Sequence, residues 1–195
     1  MINMDYKVVL GLIATLIAFI GYAPYFRDII SSKTKPHAFT WLVWTIMLGI
    51  AFAGQVSDNA GSGAWVTGFS MVICLIIFLV GLKYGKRNIV AIDWVLLAAA
   101  VIAILLWYLT KGPLLSVILV TMADILGFLP TVRKSLLRPY EETASTYFLG
   151  TAKYIVSIFA LNNISIVTAL YPSYLIFANT AFAIMLLVRR KQLPK

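Results

Sequence analysis

The chain is poor in what builds a metal centre, a disulfide framework or a water-facing surface. Its 195 residues include one cysteine, Cys74, and one histidine, His37. A single cysteine excludes any intrachain disulfide. It also lies in an apolar run, where a thiol ordinarily packs as a small inert hydrophobe. One His and one Cys cannot supply the four nitrogen or sulfur ligands of a structural zinc site, so neither a metal nor a cofactor is expected. No HExxH, no GxSxG and no Cys/His pair occurs, and an enzyme is not expected. Charged residues make up only 12%, against about 25% in soluble domains. What replaces them is hydrophobic: 62% of the residues, with a mean hydropathy of +0.94. That excludes disorder, which needs low hydrophobicity, and it exceeds what a soluble fold of this length can hide. The lipid bilayer is the expected solvent.

A membrane-crossing helix needs about 20 mostly apolar residues. Seven runs qualify: 7–27, 38–55, 64–83, 92–110, 114–134, 143–161 and 165–188. The connections are short and rich in turn residues, such as Ser57-Asp58-Asn59-Ala60-Gly61-Ser62-Gly63 and Lys111-Gly112-Pro113. No cleaved leader is expected, because Asp5 and Lys7 head the first run and no small-residue cleavage site precedes Tyr22. The net charge is +9, and its distribution favours the anionic inner surface of a membrane over nucleic acid. Arg27, Lys33, Lys35, Lys83, Lys86, Arg87, Arg133, Lys134, Arg138, Arg189, Arg190, Lys191 and Lys195 fall in alternate connections, on one side. Lys7 and Lys111 fall on the other. This asymmetry predicts an outside N-terminus and a cytoplasmic C-terminus, in the plasma (inner) membrane of a prokaryote.

The chain also repeats itself. Shifted by 106 residues, Gly21-Tyr22-Ala23-Pro24-Tyr25-Phe26-Arg27 aligns without gaps on Gly127-Phe128-Leu129-Pro130-Thr131-Val132-Arg133. Thr15, Ala38, Thr40 and Thr45 meet Thr121, Ala144, Thr146 and Thr151. The expected architecture is therefore all-α, with seven transmembrane helices in a 3+1+3 parallel repeat. Residues 1–90 form one triple-helix bundle, 91–112 a linker helix and 113–195 the second bundle. Parallel repeats about an axis along the membrane normal typify carriers, with the substrate near midplane at the repeat interface.

The motif Gly-aromatic-x-Pro-x-x-Arg late in the first helix, repeated with Gly127 and Pro130 in the fifth and followed in the first half by Ser31-Ser32-Lys33-Thr34, resembles the PQ-loop superfamily. That superfamily includes the SWEET and semiSWEET sugar carriers and cystinosin-like exporters. The resemblance extends from about residue 7 to 190. It implies the SWEET fold and a small-molecule transporter working by alternating access, with a sugar or other small polar metabolite as substrate. The alternative on the same fold is a seven-helix ligand-binding receptor or sensor without net transport. Two departures stand out: Tyr25 and Thr131 occupy the positions after proline where the family carries glutamine, and Asn179, which matches a SWEET asparagine, has Ile73 as its repeat mate.

Candidate residues follow from the physics of the runs. Proline removes a helical hydrogen bond and clashes with the preceding turn, so Gly21-x-x-Pro24 and Gly127-x-x-Pro130 are candidate hinges for a gate; the other reading is that these prolines simply end their helices. Asp124 and Lys153 are ionisable groups deep in apolar runs, each about 15 Å from a helix end. An unpaired charge there costs roughly 2.5–3.5 kcal/mol. Such groups either bridge one another or line a wet functional cavity. Their repeat mates are Ala18 and Met47, so the scaffold does not demand them. Asn179, Thr121, Tyr154 and Thr151 are the polar candidates nearby. Expected partners are a small-molecule substrate and the bilayer, with proton coupling and homo-oligomerisation both compatible with the chain.

Overall fold

A computed structural model describes residues 5–31, 38–84, 91–137, 139–142 and 144–193. Among the described residues there is no strand. The described residues form seven α-helices in succession: α1 (Tyr6–Ile30), α2 (Ala38–Ser57), α3 (Trp65–Tyr84), α4 (Ala91–Thr110), α5 (Leu114–Leu137), α6 (Ala144–Phe159) and α7 (Ile166–Gln192). Short 3₁₀ turns at Gly61–Ala64 and Pro139–Glu141 precede α3 and α6. The basic residues Lys33, Lys35, Lys86, Arg87, Arg138 and Lys195, and His37, lie outside the described residues.

The helix ends have local causes. Asp5 caps α1 by accepting from the Lys7 amide at 3.1 Å. Ser165 and Thr168 form a reciprocal capping box at the start of α7, and Arg189, Arg190 and Lys191 lie in its last turn, where the carbonyl dipoles favour cations. Pro24 lies inside α1, which continues to Ile30. The terminus reading of Pro24 therefore fails. Pro130 likewise falls within α5, although its side chain, with those of Arg133 and Lys134, is outside the described set.

α1, α2, α3 and α7 are long and apolar enough to cross a membrane, and Trp94–Thr110 and Leu114–Leu129 are shorter apolar helical stretches. At 16 residues, α6 spans only about 24 Å, less than the ~30 Å of a hydrocarbon core. The polarity of the fold is inverted relative to a water-soluble protein. Leu16, Phe19, Leu79, Leu105, Leu109 and Phe177 are exposed, whereas Gln55, Thr67, Ser70, Ser116, Ser157 and Thr168 are fully buried. In hydrocarbon, apolar surface costs nothing to expose and polar groups must find partners inside. The chain is an integral membrane protein by this criterion as well as by helix length.

α3 packs against both α1 and α2, and α7 packs against both α5 and α6. α1 lies on α6, α2 lies on α5, and α4 lies on α5 and α2. The main apolar cluster joins Trp41, Leu48 and Ala51 of α2 with Ile73, Cys74 and Ile77 of α3, Val117 of α5 and Tyr171 of α7. A second joins Ala14 and Ala18 of α1 to Val66 of α3 and Tyr154 of α6.

Candidate functional site

The polar interior begins with Lys153, the tenth residue of α6. It is 8% exposed. Its Nζ donates to Ser70 Oγ of α3 at 3.0 Å. The ammonium also stands over two aromatic faces, at 4.9 Å from the Tyr22 centroid of α1 and 4.8 Å from that of Tyr154. A cation over a tyrosine face is attracted by the ring quadrupole, most strongly where water is excluded. The pocket is helical spacing at work: Ser70 and Cys74 are four residues apart on one face of α3, and Tyr154 follows Lys153 in the sequence. Tyr22 also lies against Ser70 and Cys74.

Asp124 of α5 looks toward a different wall. The Tyr171 hydroxyl of α7 approaches its Oδ2 at 3.5 Å, and Tyr174, one turn on, approaches the same carboxylate. Lys153 and Asp124 thus share no direct ion pair; each takes neutral hydroxyl partners from another helix. A pocket of about 480 Å³ lies along α1, lined by Phe19, Tyr22, Ala23, Phe26, Arg27, Ile30 and Ser31 together with Ile73 of α3. Its wall includes Tyr22, the ring beneath Lys153.

The end of the bundle that carries Asp58 is fastened shut. Ser157 Oγ donates to Gly63 O at 2.8 Å, and Asn162 N to Ala60 O at 2.9 Å. Lys7 Nζ donates to Leu161 O at 2.8 Å. One hydroxyl, that of Ser62, is shared between Lys7 O at 2.7 Å and Ala160 O at 3.2 Å. Asn163 Nδ2 donates to Asp58 O at 3.0 Å, and Ser165, the cap of α7, hydrogen-bonds the Asp58 carboxylate. One turn further in, Gln55 Nε2 donates to Thr168 O at 3.0 Å. Apart from the Ser62 bond to Lys7 O, which stays within the α1–α3 segment, each of these bonds joins that segment to the α6–α7 segment. The glycines make the approach feasible. Gly61 has φ +63°, and a Cβ on it would sit 2.1 Å from Asn162 Nδ2. At the far end, Arg189 Nε bonds Leu136 O at 2.8 Å and Arg190 Nε bonds Pro139 O at 3.1 Å, tying α7 to the end of α5.

The sequence candidates divide. Lys153 and Tyr154 come together, whereas Asp124 meets Tyr171 and Tyr174 of α7. Thr121 Oγ1 bonds Val117 O at 2.7 Å and Asn179 Nδ2 bonds Leu175 O at 2.7 Å, each serving its own helix. Thr151 and Thr180 pair at 3.0 Å across α6 and α7. Gly21 faces Leu149 of α6, whereas Gly127 faces Leu96 of α4, so the two candidate hinge glycines meet different neighbours. Composition and repeats do not single out Ser70, Tyr171, Tyr174 or the Asp58-end bonds, and they mark Tyr22 only as the aromatic of the repeated motif. The i, i+4 pair Ser70–Cys74 and the i, i+3 pair Tyr171–Tyr174 were the available signals: small or polar groups recurring on one face of an apolar helix.

Gln55 Oε1 and Thr67 Oγ1 are buried without a hydrogen-bond partner among the described residues. Thr67 is three residues before Ser70, so the polar face of α3 continues from the lysine toward the fastened end. The chain matches no family model, no curated protein and no solved structure.

Proposed function

We propose that the protein is a small-molecule membrane carrier of the SWEET/PQ-loop kind, working by alternating access on a seven-span 3+1+3 frame with its N-terminus outside. The neighbour pattern supports the repeat. Shifting α1, α2 and α3 by 106 residues turns them into α5, α6 and α7. The same shift turns the packing of α3 on α1 and α2 into that of α7 on α5 and α6. It also exchanges α1 on α6 for α5 on α2. A pseudo-twofold relating the halves produces this correspondence, and α4, packed on α5 and α2, is the leftover connector.

The observation that carries the transport reading is the relation of three features along the bundle. One end is fastened by bonds between the halves. Two mutually unpaired charges, Lys153 buried and Asp124 partly buried, occupy the middle. A pocket reaches Tyr22 from the opposite end, where Arg27 and Ser31 line it. A carrier with its outer gate closed has this order. A scaffold has no need to bury a lysine and a carboxylate at a cost of roughly 2.5–3.5 kcal/mol each on insertion scales.

The test is flux into liposomes holding the purified full chain, with a panel of sugars, amino acids and small carboxylates, with and without a proton gradient. Saturable uptake of one class is the expected result. Binding without flux across the whole panel would convert the carrier into a receptor. Any gradient-driven component that survives Asp124→Asn removes that carboxylate from the role of proton carrier.

A further inference from the structure

We infer that Thr67 of α3 is set against the fastening at the Asp58 end: while the halves are joined its hydroxyl is stranded, and it regains a partner when Ser157 of α6 lets go. The inference rests on the carrier reading for the existence of an opened form; the hydrogen-bond exchange itself rests on α3 and α6 alone. Thr67 is fully buried, and its Oγ1 has no hydrogen-bond partner among the described residues. A helical threonine can escape that state by donating to the carbonyl four residues back. Thr15, Thr45, Thr110 and Thr121 all do so here, at 2.7–2.8 Å. For Thr67 the carbonyl four residues back is that of Gly63. Gly63 O is also the atom to which Ser157 Oγ donates at 2.8 Å.

Two hydroxyls thus compete for one acceptor. Ser157 is fully buried as well, and the carbonyl four residues before it, that of Lys153, belongs to its own helix. With the halves joined, one hydroxyl is bonded and the other is not. With α6 withdrawn, Thr67 takes Gly63 O and Ser157 takes Lys153 O, so each is bonded within its own helix. Exchanging one hydrogen bond for another is close to neutral, whereas a stranded buried hydroxyl costs the full desolvation of the group. The Ser157 bond therefore sets the alignment of the two halves while the Thr67 hydroxyl favours their parting. Gln55 Oε1, whose amide reaches across to Thr168 O, is stranded at the same end, so the joined form leaves a second buried polar atom unmatched there.

The experiment measures thermal unfolding of the detergent-purified full chain and, in liposomes, labelling of the buried Cys74 by a membrane-impermeant maleimide added from the Asp58 side. Thr67→Val keeps the shape of the side chain and removes the stranded hydroxyl. It should raise the transition temperature and slow labelling by about 5-fold or more, the low end of the penalty for an unmatched buried group. Thr67→Ser keeps the hydroxyl and should label at the wild-type rate. In a Ser157→Ala background Gly63 O is open to Thr67 throughout, so Thr67→Val there should neither stabilise nor slow labelling. A Thr67→Val protein that melts lower, fails to fold or labels at the wild-type rate overturns the inference. So does one whose gain in stability is the same with and without Ser157. Saturable solute flux with no Ser157-dependent effect of Thr67→Val overturns it and leaves the carrier intact. A Ser157-dependent effect on stability and labelling, with no flux of any solute, leaves the inference standing and removes the carrier.

Discussion

Replacing Gly63 with alanine drives a wedge into the Asp58 end of the bundle. The added Cβ would lie 2.6 Å from Leu161 Cδ2, 2.8 Å from Leu161 N and 2.8 Å from Ser157 O. The leucine methyl can rotate away, but the other two atoms are main chain. The α6–α7 connection must therefore retreat, and the Ser157 hydroxyl bond to Gly63 O stretches with it. Overpacking of this kind costs about 1–3 kcal/mol. If the contact is a gate, the cost falls on the closed form alone, and the ratio of open to closed molecules rises about 5- to 150-fold. Cys74 is the natural reporter, being the single thiol, buried, and on the same face of α3 as Ser70. Its labelling by a membrane-impermeant maleimide added from the Asp58 side should accelerate by that factor. Gly49→Ala is the control, since its Cβ meets only Met71 Sδ at 3.4 Å. A Gly63→Ala protein that melts at a lower temperature yet labels no faster would make this end a permanent staple and end the gating argument.

Other consequences can be checked in the same preparations. Because Lys153 and Asp124 take separate partners, a double-mutant cycle of Lys153→Met and Asp124→Asn read in thermal stability should show coupling below about 0.5 kcal/mol. A coupling of about 1 kcal/mol or more would reveal a direct ion pair and contradict the separate partners. Asp58→Ala deletes the acceptor for Ser165 and should lower stability by about 1–2 kcal/mol while raising Cys74 labelling from that side. Unchanged labelling would separate this bond from the gate. On a Cys74→Ser background, Asp58→Cys and Arg87→Cys should label from opposite faces of sealed vesicles. Labelling of both from one face would refute the membrane orientation.

The helices were legible because each apolar run is long and its flanks are turn residues. The run 38–55 became α2 (Ala38–Ser57) and the run 92–110 became α4 (Ala91–Thr110). In α7 polar residues continued the helix past the apolar run, its basic last turn carrying it to Gln192, whereas α6 stops at Phe159, short of the run's end at 161. Lys153 and Asp124 were legible as charges in apolar surroundings, but their partners were not. Depth along two helices says nothing about rotation about their axes, and rotation turned Lys153 toward α1 and α3 and Asp124 toward α7. The bonds at the Asp58 end were hidden for another reason. Residues such as Leu161, Ala160 and Gly63 take part through their carbonyls, which no side-chain pattern announces.

That reliance on carbonyls bears on how the protein can change over generations. A main-chain oxygen survives every substitution at its own position. Of the fastening groups, Leu161, Ala160, Ala60 and Gly63 contribute only backbone acceptors, and Asn162 only a backbone N–H donor. Selection there acts on bulk alone. The donors Lys7, Gln55, Ser62, Ser157 and Asn163 and the Asp58–Ser165 pair are tied to a chemical identity. Two loops with little residue identity in common can therefore keep the same closure, and mutational drift would erase the family likeness of this end of the molecule well before it loosened the fastening.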